Sequence, residues 1–325
     1  MNVCSQVDRI EVLVLIDNKT DSLSTVPTGF TNEWVNLKNA GMKQLSGSCQ
    51  CCANHGLALL VSAFRGGTRH TMLFDAGPVD FALEYNGTRL GVAFGDVEAI
   101  MLGHGHWDHA GGLPMAIDLI RQQRGDLYLP VYLHPGMFRQ RALRLSDGDL
   151  LPIREIAGPA ALEAQGATPV VVDKPMAVLD GMFFVSGEIP RLTSYERGFP
   201  GHMRRTEDGT GWEDDPLILD ERYLAVNIAG KGLVIFSACS HAGIINVLQA
   251  AQRDFPGIPI HALIGGYHLS GANEKIIDVT VDDFAQFDVD LILPGHCTGW
   301  RATNSLERAF GDRVVPIAAG MRISL

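Results

Sequence analysis

The sequence contains few cysteines and no long apolar run, and each shortage excludes a class of protein. Its 325 residues include only six cysteines at irregular spacing, which argues against the disulfide framework of a small secreted protein. No apolar run reaches the roughly 20 residues that span a bilayer, and residues 1–5 lack the basic and apolar regions of a signal peptide. We therefore expect a cytoplasmic protein without membrane contact.

Positive charge is scarce as well. Lysine and arginine number 26 against 37 aspartates and glutamates, and the formal net charge of −11 argues against a broad nucleic-acid-binding surface. A small anionic substrate stays compatible with this balance, because a single pocket can be locally basic. The chain is long enough to bury a large core and no linker divides it, so we expect one domain over residues 1–325.

Short apolar strands and amphipathic helices interleave along the chain without strict alternation, which favours helices covering mostly antiparallel sheets. Predicted strands span residues 10–16, 57–64, 71–74, 99–102, 131–134, 182–186, 223–228, 233–237, 260–264 and 291–293. Predicted helices span residues 79–85, 113–123, 137–143, 244–253, 281–287 and 304–310. Two polar stretches with little periodicity, 18–54 and 191–222, are predicted to be insertions.

The densest polar motif is HGHWDH, which follows the apolar run at 99–102. Residues two positions apart on an extended segment point the same way, so His104 and His106 can reach one metal ion from one side. Asp108 and His109 follow at the start of a predicted helix and can face a second ion. Imidazole and carboxylate ligands without thiolate suit zinc, iron or manganese.

Three further histidines follow predicted strands. His241 comes after the strand at 233–237, His268 after 260–264 and His296 after 291–293, each within two residues of a glycine or serine. One histidine at a strand end is usually structural or exposed. Three of them, each just past the C-terminal end of a strand, are better explained as ligands that converge on one metal site.

HGHWDH resembles the HxHxDH signature of the metallo-β-lactamase superfamily, and LFDAG at 73–77 resembles the aspartate-glycine motif that precedes it there. The finer resemblance is to a subgroup of metal-dependent hydrolases that includes the dihydropterin–ribofuranosylaminobenzene phosphate synthases. It runs over nearly the whole chain. It is carried by NHGLALLV (54–61), SGEIPR (186–191), ACSHAGIINVL (238–248), IGGYHL (264–269) and PGHCTG (294–299).

This resemblance implies an α+β fold, an αββα sandwich of two mixed β-sheets flanked by helices, with the metal site at one edge. It implies one or two divalent metal ions, of which zinc is favoured and iron and manganese are alternatives. The implied ligands are His104, His106 and His241 for one ion, and Asp108, His109 and His296 for the second. His268 is an alternative to His241 and otherwise contacts substrate.

Two carboxylates are expected to support the chemistry. Metal-bound histidines usually donate their second N–H to a carboxylate or carbonyl, and Asp75 is the best placed orienting residue, with a plain turn or cap role as the alternative. A metal lowers the pKa of bound water toward about 7, so a metal-bound hydroxide is available at neutral pH. Asp108 or a neighbour can accept the proton of that water.

Residues that could bind the substrate lie in SGEIPR and in the segment that follows it. Glu188 and Arg191 flank the predicted mouth, and Arg191 is expected to hold a phosphate or carboxylate in a bidentate fork, with a surface arginine as the alternative. The segment 191–222 is predicted to be a lid. Within it Arg204 and Arg205 either face an anionic substrate or form a solvated charged stretch.

The function predicted from these residues is a metal-dependent hydrolase, or a pyrophosphate-releasing transferase, acting on a small anionic substrate that is phosphorylated or pterin-like. A lactone, thioester or β-lactam hydrolase is the alternative enzyme on the same site. A non-catalytic metal-binding sensor is the alternative outside catalysis. We expect neither nucleic acid nor membrane as a partner.

The cysteines raise two open points. Many members of the superfamily bridge two metals with an aspartate at a strand end, whereas the comparable position here is Cys239. Cys239 is either a weak ligand or marks the absence of the bridge. Cys49, Cys51 and Cys52 form a second cluster, for which reduced loop thiols and a metal or redox role remain alternatives.

Overall fold

Strands form where apolar side chains alternate or run together, and helices form where apolar positions recur every three to four residues. The computed structural model describes residues 4–125 and 128–325, so residues 1–3, on which part of the signal-peptide prediction rests, lie outside the described ranges. The described strands are β1 (Gln6–Val7), β2 (Arg9–Ile16), β3 (Phe30–Thr31), β4 (Ala58–Arg65), β5 (Thr68–Phe74), β6 (Ala99–Met101), β7 (Pro130–Leu133), β8 (Arg141–Arg144), β9 (Leu150–Ile153), β10 (Thr168–Val171), β11 (Met176–Val178), β12 (Phe183–Val185), β13 (His202–Arg205), β14 (Trp212–Asp214), β15 (Tyr223–Ile228), β16 (Gly232–Ser237), β17 (Ile260–Gly266), β18 (Leu291–Gly295) and β19 (Arg322–Ser324). The described helices are α1 (Glu33–Asn39), α2 (Asp80–Arg89), α3 (Trp107–Ala110), α4 (Leu113–Arg124), α5 (Pro159–Ala164), α6 (Ile244–Asp254), α7 (Ile277–Phe284) and α8 (Trp300–Phe310).

Most strands belong to two mixed sheets. The first sheet has the strand order β10-β7-β6-β5-β4-β2-β19-β3, and the second has β11-β12-β15-β16-β17-β18 with β1 paired to β15. In the first sheet β5, β6, β7 and β10 run parallel to one another. In the second sheet β16, β17 and β18 run parallel. Because the C-terminal ends of parallel strands meet at one edge of a sheet, the loops after these strands are brought together.

The two sheets pack face to face around the main core. Phe74 of β5 and Phe236 of β16 meet there with ring centroids 6.2 Å apart. Because side chains alternate across a strand, the other face of each sheet is also apolar and must be covered. Helices α2 and α4 cover the outer face of the first sheet, and α6, α7 and α8 cover that of the second. The predicted sandwich with helices on both outer faces is therefore confirmed.

Fifteen of the sixteen predicted strands and helices agree with the structure. All ten predicted strands are present, as are the helices predicted near 79–85, 113–123, 244–253, 281–287 and 304–310. The helix predicted over 137–143 is wrong, because residues 141–144 form β8 and pair with β9 and β13. Pairing with strands distant in the sequence overrides the local helical preference. None of the helices in the described ranges is long and apolar enough to cross a bilayer.

A third sheet was not predicted. Its four antiparallel strands have the order β14-β13-β8-β9, and two of them come from the segment 191–222. His202 of β13 lies opposite Leu143 of β8, and Arg205 lies opposite Trp212 of β14. The segment is therefore partly ordered as sheet, whereas its role as a lid stays a prediction.

Asn86 of α2 joins the predicted insertion 18–54 to the sandwich. Its buried amide Nδ2 donates to the carbonyls of Leu15 (2.8 Å) and Cys52 (2.9 Å), and its Oδ1 accepts from the Cys52 amide (2.8 Å). One side chain thus satisfies three backbone groups that have no strand partner. This anchors residues 51–52 against the end of β2.

Replacing Asn86 with alanine is expected to lower the free energy of unfolding by about 2–4 kcal/mol, because each buried group left without a partner costs about 1–3 kcal/mol. Equilibrium denaturation measures the loss. The exposed Asn39 of α1 provides the matched control, and Asn39→Ala should change stability by less than about 0.5 kcal/mol. Equal effects of the two substitutions would show that Asn86 is not an anchor.

Candidate metal centre

The predicted site residues lie in loops that leave the C-terminal ends of five strands. Asp75 follows β5, the HGHWDH motif follows β6, His241 follows β16, His268 follows β17 and His296 follows β18. Three of these residues are non-glycine residues with positive φ: Asp75 (58°), His268 (44°) and His296 (47°). Such backbone costs of order 1–3 kcal/mol per residue and clusters at functional sites, so the strain is concentrated where the ligands are presented.

Three imidazoles form the first group. His104 Nε2 lies 2.9 Å from His106 Nδ1, and one ring nitrogen of each of His104, His106 and His241 lies within 4.8 Å of the others. All three side chains are buried. Burial holds the pKa of each histidine well below its ordinary value, and neighbouring imidazoles act in the same direction, as does Arg141 at His104 and His106. The rings are therefore uncharged at neutral pH. Uncharged rings present free lone pairs, as a metal ligand must.

Asp108 is the centre of the second group. Its Oδ2 lies 3.4 Å from His296 Nε2 and 3.5 Å from His109 Nε2. His55, which the sequence analysis did not assign, also places its Nε2 3.5 Å from the same oxygen. Burial raises the pKa of Asp108. The charge of His109 and the contacts with His296 and His55 lower it by more, so the pKa lies well below its ordinary range. The carboxylate is therefore ionised and able to bind a cation.

Hydrogen bonds from neighbouring residues aim these imidazoles. Asp75 Oδ2 lies 2.7 Å from His109 Nδ1, and its Oδ1 accepts from the Gly103 amide at 2.7 Å. Asn18 Oδ1 lies 3.0 Å from His296 Nδ1. A proton held on Nδ1 by an oxygen leaves Nε2 of the same ring free to bind a metal. The structure places Asp75 where the sequence analysis expected an orienting carboxylate.

His202 is a supporting residue to which the sequence analysis assigned no role. Its Nδ1 lies 2.8 Å from the Asp215 carbonyl oxygen, which as an acceptor fixes the ring proton on Nδ1. Its Nε2 then faces His106 Nε2 at 3.0 Å and accepts from it. This leaves His106 Nδ1 directed at His104. The spacing of residues in the sequence does not identify His202 as a supporting residue, because β13 is distant in sequence from the predicted ligands.

Two adjacent acidic residues hold the ligand-bearing loops. Asp220 Oδ2 accepts from the Gly105 amide at 2.9 Å, between the two histidines of the motif. Glu221 accepts from the amides of His241 (2.9 Å) and Ala242. Both acidic residues are buried, and Arg141 pairs with Asp220 at 2.5 Å. They position loops and do not reach the metal groups themselves.

The donor set fits a divalent metal ion. Buried ring nitrogens of His104 (Nδ1), His109 (Nε2) and His241 (both) have no hydrogen-bond partner among the described residues. A buried polar atom without a partner is costly, and an ion bound between such nitrogens satisfies them. Imidazole with one carboxylate suits zinc, iron or manganese.

His268 and Cys239 lie beside these groups. His268 Nδ1 is 3.4 Å from Cys239 Sγ, and it is His241 that groups with His104 and His106. The alternative of His268 as a ligand in place of His241 therefore has less support from the geometry. Cys239 Sγ also lies near ring nitrogens of His104 and His109, at the strand end where an aspartate bridge was expected.

Arg191 does not present the free fork that was predicted. Its Nη2 donates to the carbonyls of Leu217 (2.6 Å) and Ile218 (3.1 Å), and its Nη1 donates to the Ile189 carbonyl. These bonds hold the turn at 217–218 against the segment after β12 and favour the structural alternative, while a contact of Arg191 with substrate stays a prediction. Glu188 is exposed and lines a cavity of about 240 Å³ with His134 and Arg139, and none of the predicted metal ligands lines this cavity.

The remaining predictions concern charged and thiol groups. Arg204 pairs with Glu213 at 2.7 Å, which agrees with a solvated charged stretch. Cys49, Cys51 and Cys52 carry free thiols, and none belongs to a group of ligands close enough to hold a metal within the described ranges.

Known proteins resemble this chain over most of its length. No protein-family model matches it. It is 27% identical over 270 residues to the 7,8-dihydropterin-6-methyl-4-(β-D-ribofuranosyl)-aminobenzene-5′-phosphate synthase of Methanocaldococcus jannaschii, a match that covers 82% of this chain and 89% of that protein. It is 30% identical over 265 residues to the uncharacterized protein MJ0448 of the same organism, covering 79% of this chain and 88% of that protein.

The fold has a solved counterpart. The structure of Tm1679, a metal-dependent hydrolase of the β-lactamase superfamily, matches with a TM-score of 0.70 at 22% identity, over 97% of this chain and 98% of that chain. The chain has the metallo-β-lactamase fold. These relatives support an enzymatic function.

His241→Ala is expected to lower the metal content by about one equivalent per chain, because a structural or catalytic zinc site needs at least three protein ligands. Metal analysis of protein reconstituted with zinc and then desalted measures the loss. His261→Ala is the control, since His261 pairs with Asp290 at 2.8 Å outside the site. Unchanged metal content in His241→Ala would refute the assignment.

The two groups should bind metal with different pH dependence. Burial lowers the pKa of His109, but the charges of Asp108 and Asp75 outweigh it and raise that pKa to about 9. Below this pH an ion must displace a proton from His109, so affinity at the second group should rise about tenfold per pH unit up to about pH 9. Affinity at the first group should change little over the same range, because its rings are already uncharged.

Competition with a chromophoric chelator, repeated between about pH 6 and about pH 9, measures both affinities. Asp75→Asn removes one carboxylate that raises the His109 pKa, so it should move the rise to lower pH. The same pH dependence of the metal affinity at both groups would contradict the distinction between them.

Proposed function

We propose that this protein is a metal-dependent hydrolase, or a pyrophosphate-releasing transferase, that acts on a small anionic substrate of the phosphorylated or pterin-like class. One or two divalent ions, with zinc favoured, serve as cofactor. The observation that carries the proposal is the convergence of His104, His106, His241 and the Asp108 group at one edge of the sandwich, with buried lone pairs that lack partners. Nucleic acid is not proposed as a partner, given the net charge of −11.

The residues divide the chemical work between them. His104, His106 and His241 would hold the first ion, and Asp108, His109 and His296 the second. A bound divalent metal lowers the pKa of a coordinated water and polarises the electrophile that the water attacks. Asp108 stays ionised at neutral pH and can accept a proton at Oδ2.

A cavity of about 440 Å³ adjoins His296 and is the proposed substrate pocket. Its volume suits a small molecule. Trp300, at the start of α8, lines it and is 66% exposed, so its ring offers a flat surface for a planar heterocycle. The cavity is also lined by polar side chains: Asn18, Lys19, Thr298, Thr303, Asn304 and Glu307.

Lys19 supplies the positive charge that an anionic substrate requires. It lines the cavity, is exposed, and lies next to Asn18, which orients His296. It therefore takes the part that the sequence analysis assigned to Arg191. The name of the synthase relative supports a substrate with a pterin or a ribose phosphate, since both carry a planar ring or an anionic group.

The test compares three substrate classes on the zinc-loaded protein: a phosphoester, a lactone, and a dihydropterin pyrophosphate together with ribofuranosylaminobenzene phosphate. Turnover is expected with a phosphorylated substrate. Lys19→Ala should raise its KM about tenfold, the equivalent of about 1.4 kcal/mol for a lost charged contact. Lys231→Ala is the control, because Lys231 lies in the turn between β15 and β16, away from the ligand loops.

Each other outcome has a defined meaning. Turnover of the lactone alone would contradict the substrate class. Absence of turnover with every substrate, while the metal content stays complete, would contradict the enzymatic proposal. An equal rise in KM for Lys19→Ala and Lys231→Ala would remove Lys19 from the pocket.

A further inference from the structure

Two buried cysteines face each other next to the predicted metal groups. Cys239 lies two residues after β16 and Cys297 two residues after β18, and their sulfur atoms are 3.0 Å apart. Their exposed fractions are 3% and 7%. Neither thiol has a role in the proposed reaction.

An imidazole completes the group. His268 Nδ1 lies 3.4 Å from Cys239 Sγ, and the His268 amide donates to Cys297 Sγ at 3.3 Å. One donor atom from each of Cys239, His268 and Cys297 lies within 4.8 Å of the others. His268 reaches this place through a positive φ of 44°, so the backbone is strained to present the ring to the two sulfurs.

The neighbouring backbone keeps space for the sulfurs. A Cβ on Gly266 would lie 2.7 Å from Cys297 Sγ and 2.6 Å from the Ala238 carbonyl oxygen. Any other residue at 266 would displace the thiol. The strand end thus combines a glycine, two thiols and an imidazole in one small volume.

The chemistry of this group differs from that of the two groups described above. Thiolate ligands select soft or borderline ions such as zinc, cadmium and copper(I), whereas carboxylate and imidazole also accept harder ions. His296 Nε2 lies 3.8 Å from Cys239 Sγ, so the thiol group borders the Asp108 group and can take a fourth ligand from it.

We propose that Cys239, Cys297 and His268 form a thiolate metal site that borders the two groups of imidazole and carboxylate ligands and binds zinc or another soft ion. The site goes beyond the proposed function and does not depend on it. Its ligand set would hold metal even if the chain had no catalytic activity.

The test is cobalt(II) titration of the full chain after reduction and chelator treatment. Binding at thiolate produces a sulfur-to-cobalt charge-transfer band in the near ultraviolet, which imidazole and carboxylate ligands do not produce. We expect this band in the wild type and its loss in Cys297→Ser. His104→Ala and Cys52→Ser should retain it, because His104 belongs to the first group and Cys52 is a free thiol elsewhere.

His268→Gln provides a second variant if Cys297→Ser fails to fold, and it should weaken or shift the band. Cadmium stoichiometry gives an independent readout, with about one equivalent fewer in Cys297→Ser than in the wild type. Absence of the band in the wild type, or its persistence in Cys297→Ser, would overturn the proposal. The proposal would also be overturned if Cys239 and Cys297 formed a disulfide that persists after treatment with reductant, leaving four of the six cysteines as thiols.

Discussion

Burial of imidazole nitrogens without hydrogen-bond partners is the constraint on which the rest of the structure depends. His104, His109 and His241 carry ring nitrogens that no described residue satisfies, and each such group costs about 1–3 kcal/mol when it is left unpaired. The strained residues at the strand ends add to this cost. Both terms lower the stability of the folded chain at one edge of the sandwich, and binding of an ion there would offset them. The metal groups and the fold therefore have to be considered together.

The supporting side chains follow from this constraint. Each imidazole needs its second nitrogen held by an acceptor, and Asp75, Asn18 and His202 provide one for His109, His296 and His106. The loops need fixed backbones, which Asp220 and Glu221 supply from one buried dipeptide between β14 and β15. The parallel strands of both sheets then bring the loops to the same edge. The sandwich is thus a scaffold that presents the candidate ligands at one edge.

The sequence analysis predicted what local patterns determine. Apolar strands were found because their period is visible over a few residues, and the HGHWDH ligands because their spacing suits a metal. His55 and His202 were missed because their partners lie far away in sequence. The carbonyls at 217–218 that accept from the Arg191 guanidinium were not foreseen, because they lie far from Arg191 in the sequence. The helix at 137–143 failed for the same reason, because strand pairing with β13 is a tertiary contact.

The central claim is that the buried ligand groups bind metal as part of the folded state. Thermal unfolding of the chelator-treated chain, repeated with increasing zinc, tests it most directly. Zinc at about a hundred times its dissociation constant stabilises the native state by about 2.7 kcal/mol per site, so the Tm should rise by several degrees and continue to rise with zinc concentration. A Tm that is the same with and without zinc would contradict the account.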